Sequence, residues 1–158
     1  MKITKIGHCC LLIEEKGIRI LTDPGSYTVE AHSRLKDIDF ILFTHEHQDH
    51  FHIESLKTVL ANNQKALVYA NSSVSMLLES AGIHHIKMSH LQEASLKGIR
   101  LAAFGEKHAQ MHSSIPVSEN MGFFIDERMW YPGDSFTDPK KTGGDTRPPR
   151  IRALDEDK

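Results

Sequence analysis

Short β-favouring runs, each broken by a turn signal, dominate the start of the chain. Residues 2–6, 9–14 and 18–21 read as three strands, with Glu15-Lys16-Gly17 as a hairpin turn between the last two. Thr22-Asp23-Pro24-Gly25 ends this unit as a turn. Phe40-Ile41-Leu42-Phe43 is an unbroken apolar run, the pattern of a strand covered on both faces. The period then changes: Ile53, Leu56, Val59 and Leu60 recur at helical spacing and predict a helix over about 53–61. Residues 66–69 read as another strand, and residues 72–80, with serines at the start and Gly82 just past the end, as another helix. Strands follow over about 99–104, 121–125 and 129–131, the last two joined by a hairpin turn at Asp126-Glu127-Arg128. After Pro139 the pattern stops. Residues 140–158 are rich in charge, with Gly, Pro and few apolar positions, a composition that cannot nucleate a core. The expected organisation is an α/β domain over residues 1–139 and a disordered or loosely attached tail over 140–158.

Composition narrows the class. A chain of 158 residues fits one domain and can bury a real core, and 39% hydrophobic with 25% charged residues is ordinary for a soluble protein. A formal net charge of -2 gives no polyanion-binding surface, so a nucleic-acid partner is not expected. Cys9 and Cys10 are neighbours, and a disulfide between them would be strained, which favours a reduced, cytoplasmic setting. The N-terminus does not have the form of a signal peptide, and no apolar stretch approaches membrane-spanning length.

Histidine is the outlier, with eleven residues, and the stretch FTHEHQDHF holds His45, His47, Asp49 and His50 directly after the apolar strand. The C-terminal end of a strand is where α/β folds usually place their sites. A loop leaving a strand can turn His45 and His47 to one side, so that two neutral imidazoles converge on one ion, while Asp49 and His50 point to a second position. Nitrogen ligands with a hard carboxylate suit zinc, and also iron or manganese. The spacing H-x-H-x-D-H is far more specific than a lone H-x-H.

On these residues the chain resembles the metallo-β-lactamase-fold hydrolase superfamily, in its small-molecule, lactonase-like and phosphodiesterase-like branch. KITKIGHCCLLIEEKGIRILTDP is similar to the N-terminal strands of that branch, with Gly7-His8 and Asp23-Pro24 flanking the site. THEHQDH matches the metal motif, FGEKHAQMH sits where a third histidine follows a strand, and MGFFIDERMWYPGDS matches the hairpin ending in Gly-Asp-Ser/Thr. The resemblance implies a metallo-β-lactamase-like αββα sandwich. It places a first ion on His45, His47 and a later histidine, either His108 or His112, with His108 favoured because it follows the 99–104 strand closely. It places a second ion on Asp49 and His50, with Asp134 bridging the two. Asp23 is then either a plain turn residue or an acceptor that orients a liganding imidazole or a loop amide. His8 either lines the pocket or is a strand-end histidine. His84, His85, His90, His32 and His52 have no spaced partner that would make them ligands, and Trp130 and Tyr131 read as core residues of the last strand.

The implied activity is hydrolysis of a small-molecule ester, lactone or phosphodiester by a metal-bound hydroxide, with two zinc ions, or manganese or iron, and Asp49 orienting the nucleophile and receiving its proton. Members of this branch continue beyond the Gly-Asp-Ser/Thr motif and supply one more metal-binding histidine. Here no histidine follows His112. The expectation is therefore a C-terminally truncated or altered chain with an incomplete second half-layer, a weak second ion and homo-oligomerisation over exposed apolar surface. A non-catalytic, metal-binding remnant is the alternative function, and a nuclease a third reading that the charge balance disfavours.

Overall fold

The computed structural model describes residues 1–105, 107–110 and 117–136. Two sheets stack face to face. The first has six strands in chain order: β1 (Lys2–Gly7), β2 (Cys10–Glu15), β3 (Ile18–Thr22), β4 (Phe40–Phe43), β5 (Leu67–Ala70) and β6 (Ile86–Lys87). β1 to β3 form an antiparallel meander, and β3 to β6 run parallel to one another. The second sheet is antiparallel, in the order β10 (Met129–Tyr131), β9 (Gly122–Ile125), β8 (Ile99–Phe104) and β7 (Glu93–Leu96).

β4 shows why an unbroken apolar run is needed. Successive side chains point to opposite faces. Phe40 and Leu42 enter the core between the sheets with Ile20, Leu101, Phe123 and Ile125. Ile41 and Phe43 enter a second core with Leu56, Val59, Val74 and Leu78. The second core lies under two helices, α2 (Ile53–Asn62) and α3 (Ser72–Ser80). Both have side-chain caps: His52 accepts from the Ser55 amide, and Asn71 accepts from the Val74 amide. Helix, sheet and sheet thus stack in the expected order, and among the described residues no helix covers the outer face of the second sheet.

Three elements differ from the sequence expectation. A 3-10 turn (Ser26–Thr28) leads into a single-turn helix, α1 (Val29–His32), where His32 is fully buried rather than in a polar loop. β6 is two residues long, and β7 is an edge strand with a polar outer face, so neither carries a strong apolar signal. Cys9 sits in the turn before β2, not within the strand, and both cysteines are free. Among the described residues no helix is long and apolar enough to cross a membrane. The expected tail over residues 140–158 lies outside the described residues.

Candidate metal centre

The two loops leaving β3 and β4 build the centre. Their close approach is set by Gly25, where an added Cβ would lie 1.9 Å from the Asp49 carbonyl oxygen. The Ser26 amide donates to the Gln48 carbonyl at 2.7 Å, and the amides of His50 and Phe51 both donate to the His47 carbonyl. Phe51 then plugs the loop into the core edge-on against Phe43, with ring centroids 5.0 Å apart. A glycine is required at position 25 because the backbones touch there.

Each imidazole is held by one nitrogen, and at His45, His50 and His108 the partner fixes a proton on Nδ1. Thr44 donates its hydroxyl to Asp23 Oδ2 at 2.7 Å, so it accepts from His45 Nδ1 at 3.0 Å. His50 Nδ1 donates to Asp23 Oδ2 at 2.8 Å. His108 Nδ1 donates to the Ala109 carbonyl at 2.6 Å. His47 Nε2 faces Ser118 Oγ at 3.4 Å. What remains is Nε2 of His45, His50 and His108 and Nδ1 of His47, all turned inward. His45 Nε2 and His47 Nδ1 stand 3.1 Å apart. His108 Nε2 is buried with no hydrogen-bond partner. A buried nitrogen left unpaired is unfavourable, and a cation at this point would satisfy it together with the two nitrogens beside it. His45, His47 and His108 bring one donor atom each to within 4.8 Å of one another. This donor set fits a divalent metal of the zinc type.

Asp134 enters from beyond β10. Its amide is fixed by Asn120 Oδ1 at 3.0 Å, and its carbonyl accepts from Ala109 at 2.7 Å. Its carboxylate spans two imidazoles, with Oδ1 3.4 Å from His50 Nε2 and Oδ2 3.4 Å from His108 Nε2. Asp49 Oδ2 lies 3.6 Å from His50 Nε2. These separations are long for hydrogen bonds. They match the edge of a tetrahedron around an ion with bonds of about 2.1 Å, which is about 3.4 Å. Asp49 Oδ2 is also 2.8 Å from His8 Nε2.

Burial, and then the neighbouring His50, His47 and His108, push the His45 pKa down to about 3, so its ring is neutral. At His50 burial also lowers the pKa, but the hydrogen bond and charge of Asp23, with Asp134 and Asp49, outweigh it and the net direction is up. Burial works to raise the Asp49 pKa. The hydrogen bond from His8 and the charge of His50 prevail, and the carboxyl stands below its ordinary value.

All six expected ligands, His45, His47, Asp49, His50, His108 and Asp134, therefore come together at one rim of the sandwich. His112 lies outside the described residues. Asp23 is fully buried and accepts from the Thr44 amide, the Thr44 hydroxyl, His50 and Tyr131. His8 is in the β1–β2 turn, beside Asp49. Sequence reasoning missed four supporting residues: Thr44, Ser118, Asn120 and Tyr131. Tyr131 is buried as a core residue should be, yet its hydroxyl lies 2.8 Å from both Asp23 Oδ2 and the Cys9 carbonyl. Its place directly before Pro-Gly-Asp was the available signal, since that puts it at the end of a strand leading into the site.

The beta-lactamase superfamily domain profile matches residues 2–146. A Mycobacterium tuberculosis protein is 32% identical over 145 residues, which span 88% of this chain and 66% of the relative. A Rhizobium johnstonii protein named a metal-dependent hydrolase is 32% identical over 126 residues, 76% of this chain and 51% of the relative. The chain thus spans about half to two-thirds of the length of these curated relatives. Among solved structures, a metallo hydrolase from Ignicoccus hospitalis superposes with a TM-score of 0.62 at 22% identity, covering 84% of this chain and 60% of that one. The diiron β-hydroxylase CmlA from Streptomyces venezuelae gives a TM-score of 0.61 at 20% identity, covering 78% of this chain and 27% of that one. The helix–sheet–sheet layering agrees with these likenesses in fold, and the profile match settles the family: the chain belongs to the beta-lactamase superfamily, with the metallo-β-lactamase fold.

Proposed function

We propose that the chain is a metal-dependent hydrolase that uses two ions, zinc, manganese or iron, to cleave an ester, lactone or phosphodiester bond in a small molecule. The observation that carries this reading is the set of four imidazoles, each tied back through one nitrogen and turned inward with the other. The ions, when bound, supply Lewis acidity toward a carbonyl or phosphoryl oxygen and a water acidified to near neutral pH. The chain's own residues do the rest. His45, His47 and His108 hold the first position, and His50 and Asp49 the second, with Asp134 between them. Asp23 fixes the His50 ring from behind, so the geometry is set before substrate arrives. Asp49 is an ionised carboxylate at the edge of the centre, able to orient the attacking water and accept its proton. The names of the relatives point the same way, since the Rhizobium johnstonii protein is called a metal-dependent hydrolase.

The test is hydrolysis of lactone and phosphodiester model substrates by the chelated protein, before and after zinc, manganese or iron(II) is restored. Turnover that returns with metal and is lost in His45→Ala supports the reading. Folded, metal-loaded protein without turnover on either substrate class contradicts it and leaves a metal-binding role.

A further inference from the structure

His8 packs its ring edge-on against the exposed Tyr27, with centroids 4.9 Å apart, a contact that leaves it open to solvent. Its side chain is 42% exposed, so burial does not place it. Its backbone sits at φ 44°, in the left-handed region that non-glycine residues avoid. A register irregularity between Lys5 and Gly7 precedes it. Strain of this kind persists where the surroundings enforce it, and it clusters at ligand-binding positions. Its effect here is to turn the imidazole onto the metal loop, with Nε2 2.8 Å from Asp49 Oδ2 and the ring centroid 6.0 Å from that of His50. A ring nitrogen of His8, a ring nitrogen of His50 and Cys9 Sγ all lie within 4.8 Å of one another.

We propose that His8 is a ligand of the second metal ion, together with Asp49 and His50. This rests on the reading of the centre as a two-ion site. Two imidazole nitrogens and a carboxylate form a donor set suited to zinc. The ion takes the place of the proton that His8 Nε2 and Asp49 Oδ2 share in its absence, and that proton moves to His8 Nδ1 or to solvent. Cys9 is not part of the set. Its sulfur faces the Asp49 carbonyl at 3.2 Å and the Asp23 carbonyl at 3.8 Å. It serves as a thiol that ties the β1–β2 turn to both loops. The second position is then completed from the N-terminal meander, at the opposite end of the sequence from Asp134.

The experiment is a zinc titration against a competing chelator on the wild type, His8→Ala, His8→Gln and Cys9→Ser, with cobalt(II) absorption spectra of each. Far-UV circular dichroism of the metal-free proteins checks that all four fold alike. The wild type and Cys9→Ser should bind two ions. His8→Ala and His8→Gln should keep the first and weaken the second by at least about tenfold, with the second cobalt's spectrum altered and no sulfur charge-transfer band in any of them. If the His8 variants bind both ions like the wild type, or Cys9→Ser loses the second ion, His8 is not the ligand. A wild type that takes a single ion fails the two-ion reading and this inference with it, leaving a one-ion hydrolase standing, and a wild type that binds no ion overturns the metal centre altogether; His8 variants that match a two-ion wild type overturn this inference alone.

Discussion

The two halves of the centre are built on different principles. The first position is made of neutral imidazoles: His45 is fully buried, His108 nearly so, and His47 is partly buried. The second is made mainly of carboxylates around one buried imidazole, with Asp49 28% and Asp134 46% exposed at the side chain. Burying a neutral nitrogen costs far less than burying a charged carboxylate, which needs compensating donors. Among the described residues one carboxylate, Asp23, is fully buried and surrounded by donors, while Asp49 and Asp134 stay near solvent. The first position should bind by pre-organisation and the second by charge.

The largest break in this comparison should come from Asp23→Ala. It strands the Thr44 amide and hydroxyl, His50 and Tyr131, which accounts for about 3 kcal/mol or more of stability. Thermal melting of the metal-free protein should fall by on the order of 10 °C. Metal binding should fail at the second position before the first.

Gly25→Ala should come next. Its Cβ would meet Asp49 O at 1.9 Å, so the whole metal loop must shift. A displacement of about 1 Å at a reacting centre costs roughly a hundredfold in rate, which kcat/KM on the responsive substrate would report, with both ions weakened.

Tyr131→Phe sharpens the comparison more gently. It keeps the buried ring and removes one hydrogen bond to Asp23, about 1 kcal/mol in chemical denaturation. The second ion should weaken several-fold while the first is unchanged.

The smallest effect is a difference in pH response. His50 has a raised pKa, so protons compete for the second position at a higher pH than at His45, whose pKa is lowered to about 3. As pH is lowered, metal analysis after dialysis should show the second ion leaving first. In the metal-free chain the depressed pKa of His45 has the opposite sign for folding. The unfolded chain binds a proton that the native chain refuses, so this contribution to stability is lost as pH falls from the ordinary histidine value toward 3.

What was legible in the sequence follows the same physics. β4 could be read because both of its faces are buried and no polar residue interrupts it. α2 and α3 could be read because their apolar positions recur at helical spacing. β6 and β7 could not: one is too short to show a period, and the other buries only alternate residues at a sheet edge. In the site, His45, His47, Asp49 and His50 announced themselves by local spacing. His108 and Asp134 were placed through resemblance, since their partners are distant in sequence. Thr44, Ser118, Asn120 and Tyr131 stayed hidden because an ordinary threonine, serine, asparagine or tyrosine gains its role only from the tertiary neighbours that fix an imidazole or a carboxylate. Asp23 shows the limit most clearly. Asp-Pro-Gly reads as a turn, and it is one, yet the side chain of that turn residue holds the centre together.

The inward nitrogens of His45, His47 and His108 are read as holding an ion. Native mass spectrometry of the zinc-equilibrated protein, alongside His45→Ala and His108→Ala, tests it most directly. At least one zinc should be retained per wild-type chain, and both variants should lose the first-position ion with the fold intact. A folded wild type that retains no metal, or variants that retain as much as the wild type, would contradict it.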